Sequence, residues 1–304
     1  MAHAHAHHHH HAPASHDRAF ALGIGLNLAY VALETGFGLY AGSLALVADA
    51  GHNLSDVLGL ALAWGAAWLT RREPTPRRTY GLRRSSILAA LANAMLLLLA
   101  IGAIALEAVR RLQTPEPVAT GIVFWVAGVG VLVNGGTALM FMRGRAHDLN
   151  IQGAFLHMAA DAGITVGVMA AALLIGWTGW LWVDPAVSLA IALVILVGTW
   201  GLLRDSVDLA LDAVPRGIDP AKVAGFLAGQ PGVSEIHDLH IWAMSTTETA
   251  LTVHLVRPQA ALDDGLLVRL RHELHDRFAI QHATIQVETG DPAVPCPQAP
   301  AHVV

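Results

Sequence analysis

The chain has 304 residues with a formal net charge of -5, and 54% of its residues are hydrophobic while only 13% are charged. About a quarter of the residues in a soluble domain are normally charged, so this depletion and the long apolar runs exclude an ordinary soluble protein and indicate an integral membrane protein. The negative charge gives no sign of a nucleic-acid partner, and the single cysteine, Cys296, excludes an intrachain disulfide and a zinc site made of cysteines alone.

Residues 1–17 form a histidine-rich segment. It has no apolar core, which excludes a signal peptide, and its composition predicts disorder. Two origins stay open. The alternation with alanine favours a native metal-gathering tail, whereas the run of consecutive histidines would suit an expression tag. In neither case do we expect this segment to carry the main function.

Six apolar segments between residues 18 and 208 predict six transmembrane helices. Each segment has at least about 20 residues, enough to cross a hydrocarbon core of about 30 Å. Proline, glycine or arginine marks the breaks between them. The predicted helices cover about residues 20–40, 44–70, 85–112, 118–142, 149–177 and 186–203.

The distribution of arginine predicts the orientation of this bundle. Arginines are concentrated in the loops after helices two and four, residues 71–84 and 143–148. The positive-inside rule places these loops in the cytoplasm, and an even number of spans then places both termini there, in a cell inner membrane. Arg110 and Arg111 favour the opposite orientation, but they are outnumbered.

Two histidine–aspartate pairs lie inside the apolar runs, His52 with Asp56 in helix two and His157 with Asp161 in helix five. Residues four apart share a helix face, so each pair presents an imidazole beside a carboxylate. At 1.5 Å per residue, both pairs lie roughly 10 to 20 Å deep, close to the middle of the membrane. Antiparallel helices could bring the four groups together as a tetrahedral site for zinc or a similar divalent cation.

The alternative is that these polar side chains only form hydrogen bonds between helices, as a single intramembrane His or Asp often does. Two matched pairs at matching depth argue against it. Asp49 lies seven residues before Asp56 on nearly the same face, and it could be an outer-shell partner, a proton acceptor or a helix-packing group. Glu34 is another buried polar candidate, and we expect the asparagines of the helices, such as Asn134, to form structural hydrogen bonds.

Residues 209–291 differ in character and predict a small cytoplasmic α+β domain. The element order αββαβ, in about 80 residues, is typical of a ferredoxin-like fold. The tail, residues 292–304, is rich in proline and is expected to be flexible. The predicted elements are a helix at 220–229 capped by Asp219, strands at 233–242 and 250–256, a helix at 264–278 and a strand at 283–288.

Histidines also follow the predicted strands of this domain. His237 and His254 lie on neighbouring strands, while His282 and Glu288 flank the last strand. Imidazole and carboxylate are both zinc ligands, so these four residues could form a cytoplasmic metal site. His272 and His275 share a helix face at a spacing that also suits ligands, but there solvated surface histidines are the favoured interpretation.

Taken together, these motifs resemble those of the cation diffusion facilitator family, in particular its zinc-transporter branch. The likeness covers about residues 18–290. It implies a homodimer in which each protomer has six transmembrane helices and a cytoplasmic ferredoxin-like domain, and which exports divalent metal in exchange for protons. The motifs are SLALVADAGHNLSD at 43–56, His157-x-x-x-Asp161, HDLHIW at 237–242 and HATIQVE at 282–288.

The resemblance also implies ligand sets. The family's transport site corresponds to His52, Asp56, His157 and Asp161, and the ligands of its cytoplasmic domain resemble His237, His254, His282 and Glu288. In this family a histidine at position 52 accompanies zinc, and often cadmium. Some relatives have a cysteine pair near the C-terminus, whereas only Cys296 is present here, which weakens the case for a site built from the tail.

The sequence therefore predicts a secondary transporter, not an enzyme, that exports divalent cations, above all Zn²⁺, in exchange for protons by alternating access. Zinc is its substrate and a candidate regulatory ion of the cytoplasmic domain. Protons, the lipid bilayer and a second copy of the chain are the other expected partners. Two alternatives use the same ligands, a membrane metal sensor and an intramembrane metalloenzyme. The enzyme would need an open coordination position and usually a separate general base.

Overall fold

The structure, a computed structural model, describes residues 15–142, 149–258 and 264–300. Two compact units make up the chain, Met1–Leu60 with Leu96–Thr199 and Ala61–Met95 with Trp200–Val304. Most of the histidine-rich segment (residues 1–14), the arginine-bearing loop 143–148 and the C-terminal residues 301–304 lie outside the described residues.

All six predicted long helices are present, and their bounds differ from the prediction mainly at two ends. The first begins at Ser15, inside the segment expected to be disordered, and the sixth continues to Ala210. This extension includes Arg204 and Asp208, whose side chains pair at 3.9 Å, and such i,i+4 pairs support a helix beyond its apolar span. The helices are α1 (Ser15–Ala41), α2 (Leu44–Thr70), α3 (Ser85–Gln113), α4 (Thr120–Phe141), α5 (Leu149–Thr178) and α6 (Val183–Ala210).

Among the described residues, four stretches of helix are long and apolar enough to cross a membrane. Large apolar side chains on them, such as Leu99, Leu132 and Val197, are exposed on the protomer. Contiguous apolar surface suits contact with lipid rather than water, which agrees with the predicted membrane domain. The four spans are Ser85–Gln113, Thr120–Met140, Phe155–Thr178 and Val183–Ala210.

Small side chains allow close packing of the helices in the first unit. Its buried core contains many alanines beside branched residues such as Val168 and Ile191. At Gly130 in α4, a Cβ atom would lie 2.0 Å from the hydroxyl oxygen of Tyr30 in α1. Only glycine therefore permits this approach of α1 to α4, and it leaves the Tyr30 hydroxyl buried in the bundle.

A carboxylate from another helix fixes the start of α2. Asp184, in the first turn of α6, accepts hydrogen bonds from the backbone N–H groups of Leu44 and Ala45 at 2.7 and 3.4 Å. The Ser43 hydroxyl donates to the same carboxylate at 2.5 Å. These bonds satisfy N–H groups that a first helical turn leaves without partners. They tie the start of α2 to α6 and thereby help to place the polar residues two turns further along α2.

The C-terminal part of the second unit confirms the predicted ferredoxin-like order αββαβ. Strand β2 is central, antiparallel to β1 and parallel to β3. The alternate residues Leu251, Val253 and Leu255 of β2 pack in a core with both helices, so the residues between them, including His254, face the other side of the sheet. The elements are α7 (Pro220–Ala228), β1 (Glu235–Ala243), β2 (Thr249–Val256), α8 (Asp264–Phe278) and β3 (His282–Glu288).

Within the second unit, polar contacts join the start of α3 to the connection between β1 and β2. Arg83 forms an ion pair with Glu248, and the Ser86 hydroxyl accepts a hydrogen bond from the Thr246 N–H at 3.1 Å. Arg83 belongs to the arginine-rich loop from which the cytoplasmic side was predicted, and the ion pair gives it a structural role within this unit.

We expect Asp184→Ala to destabilise the protein, because two backbone N–H groups and a buried hydroxyl would lose their acceptor. The loss should be about 1–3 kcal/mol, measured as a lower midpoint of thermal unfolding in detergent. Asp184→Asn keeps one oxygen acceptor, so its midpoint should fall between those of the wild type and Asp184→Ala. An unchanged midpoint for Asp184→Ala would mean that α2 does not depend on this cap.

Candidate metal sites

The two histidine–aspartate pairs of the sequence analysis lie together in the structure. His52 Nε2, on α2, is 3.2 Å from Asp161 Oδ1, on α5. His157 Nε2, on α5, is 3.2 Å from Asp56 Oδ2, on α2. The two imidazole rings meet edge to face, with centroids 6.3 Å apart. Each histidine therefore faces the aspartate of the other helix, and we name these four residues the helix site.

The donor atoms of the helix site are close enough to share one cation. One ligand atom each from His52, Asp56 and Asp161 lie within 4.8 Å of one another. His157 Nε2 is 3.7 Å from Asp161 Oδ2. In a tetrahedral zinc site with bonds of about 2.0–2.2 Å, neighbouring ligand atoms are about 3.3–3.6 Å apart. The distances of 3.2, 3.2 and 3.7 Å between these side chains are therefore close to the ligand separations around a tetrahedral ion.

The charges of the helix site suit two different occupants. With neutral imidazoles, its two carboxylates sum to a charge of -2, which one divalent cation neutralises. Two protons on the imidazoles neutralise it equally well, because each imidazolium would face a carboxylate. Asp161 is only 1% exposed whereas His157 is 45% exposed. Buried charge needs such compensation, so the same geometry fits a metal-bound state and a doubly protonated state.

Other polar residues of the bundle are also buried. Glu34 and Asp49 are fully buried, as the sequence analysis expected of Glu34. Asn53, next to His52, donates a hydrogen bond to Glu34 at 3.1 Å. For Asn134 the expected hydrogen bond is not seen, since neither amide atom has a partner among the described residues.

A second cluster lies on the face of the sheet opposite α7 and α8. His237 in β1 is paired with His254 in β2, and their rings are 5.1 Å apart. At the end of β3, Glu288 places Oε1 2.9 Å from His254 Nδ1 and Oε2 3.4 Å from His237 Nε2. Cys296 Sγ lies 3.6 Å from His254 Nδ1. We name His237, His254, Glu288 and Cys296 the sheet site, since one ligand atom from each lies within 4.8 Å of the others.

A bulge in β1 orients one histidine of the sheet site. The register of β1 on β2 shifts between His237 and His240, and Asp238 there has a left-handed φ of 51°. The Asp238 carboxylate lies 3.5 Å from His254 Nε2. A carboxylate that accepts a hydrogen bond from the non-ligating ring nitrogen fixes the tautomer and the orientation of a histidine ligand. Asp238 therefore leaves His254 Nδ1 available to a metal.

The surroundings of Glu288 favour its ionised form. Burial raises the pKa of Glu288, but hydrogen bonds from Gln286 and Cys296 lower this pKa. The nearby His237 and His254 lower it further, and the net result is a pKa below the usual value for glutamate. The carboxylate is thus ready to bind a cation at neutral pH.

The surroundings of Cys296 favour the neutral thiol in the absence of a cation. A hydrogen bond from the Gln298 N–H lowers the pKa of the Cys296 thiol. Desolvation and the carboxylates of Glu288 and Asp238 outweigh it, so the pKa is raised overall. A coordinated divalent cation reverses this balance, because it deprotonates a thiol ligand. Metal binding at the sheet site should therefore release a proton from Cys296.

His282, predicted as a fourth ligand of this cluster, lies elsewhere. It begins β3 whereas Glu288 ends the same strand. At about 3.3 Å per residue, the two are about 20 Å apart. The His282 ring instead meets the Tyr80 ring edge to face, with centroids 5.7 Å apart. The prediction was wrong because two residues that flank one strand cannot both reach a site at one of its ends.

Cys296 occupies the place that the sequence analysis gave to His282. The sequence analysis gave it little weight because some relatives have a cysteine pair there and this chain has only one cysteine. In the structure, a turn with a left-handed Gly290 is followed by a segment that returns to the sheet, where Gln298 Nε2 lies 3.4 Å from Asp238 Oδ2. The available signal was the position of the single cysteine, soon after the glutamate that ends β3 and between two prolines.

Comparisons with known proteins connect both parts of the chain to one family. Residues 20–209 match the family described as cation efflux transmembrane domain, and residues 215–290 match the family described as cation efflux protein, cytoplasmic domain. The chain is 39% identical over 277 residues to the metal cation efflux system protein CzcD of Cupriavidus metallidurans, which covers 91% of this chain and 86% of the relative.

Two further relatives carry names that specify metals. The zinc transporter ZitB of Escherichia coli strain K12 is 37% identical over 265 residues, which is 86% of this chain and 84% of the relative. A cadmium, cobalt and zinc/H(+)-K(+) antiporter of Bacillus subtilis strain 168 is 36% identical over 265 residues, 86% and 85% of the two chains. Among solved structures, the metal-bound C-terminal domain of CzcD is 42% identical and covers 23% of this chain and 99% of its own, with a TM-score of 0.22.

We expect cobalt(II) bound at the sheet site to give a thiolate-to-metal charge-transfer absorption, because Cys296 is the only cysteine in the chain and thiolate is a strong ligand for such ions. On the full chain in detergent, this absorption should disappear in Cys296→Ser. His282→Ala, which removes the ligand predicted from the sequence, should keep it. The ligand assignment is wrong if Cys296→Ser retains the band or His282→Ala loses it.

Proposed function

Because this chain belongs to the cation efflux family, we propose that it exports Zn²⁺ and similar divalent cations from the cytoplasm in exchange for protons. Family membership makes it a metal cation efflux transporter, and the identity of the metal and of the counter-ion is the proposal. The observation that carries the proposal is the crosswise pairing of the helix site, in which His52 faces Asp161 and His157 faces Asp56.

This pairing makes metal and protons direct competitors. A histidine binds metal only when the ligating nitrogen is deprotonated. When the cation leaves, two carboxylates remain in a low-dielectric interior, and protons on His52 and His157 are the simplest compensation. An unperturbed imidazole titrates near pH 6.5. A difference in pH between the two sides of a membrane can therefore drive the exchange.

The donor set supports zinc as the main substrate. Two imidazole nitrogens and two carboxylate oxygens suit tetrahedral Zn²⁺, and they also accept neighbouring ions such as Co²⁺ and Cd²⁺. The relatives named above as transporters or antiporters of zinc, cadmium and cobalt agree with this range. The sheet site, which has a thiol among its donors, is the second place for zinc, as a regulatory ion.

Alternating access accounts for the direction of transport. The helix site would open first to the cytoplasm to accept the metal and then to the outside to release it, and protons would return the site to its first state. We place both termini and the ferredoxin-like domain in the cytoplasm of a cell with this protein in its inner membrane. A second copy of the chain completes a homodimer. This agrees with the match of residues 215–290 to a cytoplasmic-domain family whose name refers to dimers.

A metal sensor and an intramembrane metalloenzyme are the rival functions. Hydrolysis catalysed by a bound metal needs an open coordination position for an activated water. The helix site instead offers a protein ligand for each position of a tetrahedral ion. A sensor needs binding but no flux. The relatives are named as transporters, which favours flux over both rivals.

The test is zinc flux into proteoliposomes across an imposed pH gradient. We expect gradient-dependent zinc flux in the wild type and a loss of more than about tenfold in His157→Ala, because a ligand and a proton acceptor are removed together. His275→Ala is the matched control. It also removes a histidine, but an exposed one that pairs with Asp276 on α8, and its flux should equal that of the wild type.

Two results would contradict the proposal in different ways. Flux that persists after His52, Asp56, His157 and Asp161 are all replaced by alanine would exclude the helix site. Loss of one bound zinc ion per chain in His157→Ala, without any flux in the wild type, would favour a sensor or an enzyme built on the same ligands.

A further inference from the structure

A group of buried polar side chains adjoins the helix site but contains none of its ligands. The Tyr30 hydroxyl donates a hydrogen bond to Glu34 Oε1 at 2.7 Å, and Asn53 Nδ2 donates one to Glu34 Oε2 at 3.1 Å. All three residues are at most 3% exposed. Both oxygens of Glu34 are thus bonded to neutral donors.

Asp49 belongs to the same group, because it lies four residues before Asn53 on α2 and so shares a helix face with the residue that bonds Glu34. It is 0% exposed, and both its carboxylate oxygens lack a donor among the described residues. The side chains that act on it are Thr165 and Glu34, and then, through their charges, His52 and Asp161. A buried carboxylate without donors is unfavourable in its ionised form, so Asp49 needs either a proton or a cation nearby.

Two carboxyl groups in one buried pocket are not both ionised without a compensating charge. Like charges at short range in a low dielectric repel strongly, and one proton is then held between them. From the neighbouring elements, Tyr30 of α1, Asn53 of α2 and Thr165 of α5 add no charge. Among the described titratable groups that act on the pair, only His52 can become positive, and it belongs to the helix site.

The two carboxyl groups are coupled to the helix site along two helices. Asp49 precedes His52 by three residues on α2. On α5, the Thr165 hydroxyl donates to the backbone carbonyl of Asp161 at 2.9 Å. One helical turn is about 5.4 Å, a distance over which charges in a protein interior interact strongly. A divalent cation in the helix site therefore weakens proton binding by Glu34 and Asp49.

We propose that Glu34 and Asp49 form a proton-binding site, the carboxyl pair, which is separate from the metal ligands. It loses one proton when a divalent cation occupies the helix site and regains that proton when the cation leaves. The inference rests on the proposed function and identifies residues that carry one of the exchanged protons. Glu34 contacts no metal ligand, and it is the group that must gain and lose the proton. Asp49 is the neighbouring carboxyl group whose negative charge makes that proton necessary.

The experiment counts the protons released when zinc saturates the full chain in detergent, from calorimetry in buffers of different ionisation enthalpy. The double variant Glu34→Gln/Asp49→Asn should release about one proton fewer per chain than the wild type, because the carboxyl pair holds one proton. Glu34→Gln and Asp49→Asn should each lose the same single proton. The two losses should not add, since both residues share that proton.

Two controls isolate the carboxyl pair from other groups. Glu107→Gln removes a carboxyl on α3 that pairs with Arg111 and should leave the proton count unchanged. In a His157→Ala background the difference between wild type and double variant should vanish, because the helix site no longer holds zinc. Protons from the sheet site and from other histidines are common to all variants and cancel.

The outcomes separate this inference from the proposed function. A double variant that releases as many protons as the wild type overturns the carboxyl pair, even if zinc flux is gradient-dependent. A double variant that loses one proton supports the pair, even if the wild type shows no flux. If that variant does not fold, Tyr30→Phe provides the test. Loss of the hydroxyl that donates to Glu34 should raise the pH at which zinc binding releases the proton. An unchanged pH profile in Tyr30→Phe would overturn the inference.

Discussion

Charge that is buried between helices has to be compensated, and the helix site depends on this constraint. Its two carboxylates have no arginine or lysine partner among the described residues, and only the two imidazoles face them. Each histidine sits on one helix and faces the aspartate of the other. Protonated imidazoles therefore form ion pairs, and neutral imidazoles leave a charge of -2 that draws in a divalent cation. One geometry therefore fits both occupants that the proposed exchange requires.

Such a site works only if α2 and α5 keep their register, and the fold supplies fixed points near it. Asp184 of α6 bonds the first N–H groups of α2, which lie eight residues, or about 12 Å, before His52. Gly130 of α4 leaves room for the Tyr30 hydroxyl, which donates its hydrogen bond to Glu34. Small residues therefore bring the polar groups close, and buried hydrogen bonds hold them there.

Much of this could be predicted from the sequence, because helical period and membrane depth are local properties. The spacing of His52 from Asp56, repeated in helix five, predicted that four side chains meet, and they lie together in the structure. Long-range contacts left no such pattern. The cap of α2 joins residues about 140 positions apart, and the place of Cys296 depends on a turn after β3. His282 was misplaced because strand register decides which end of β3 reaches the histidines, and alternation along one strand does not encode register.

The two sites also differ in donor chemistry, in a way that suits different tasks. A carried ion has to leave once in every cycle, and each tenfold gain in affinity adds about 1.4 kcal/mol to the free energy of its release. The helix site has nitrogen and oxygen donors and protons that compete for both imidazoles, so its affinity falls when protons are abundant. The sheet site adds the Cys296 thiol, a softer and stronger ligand for zinc, and Asp238 orients His254 for binding. It should therefore fill at lower free zinc than the helix site, which is what the regulatory role proposed for it requires.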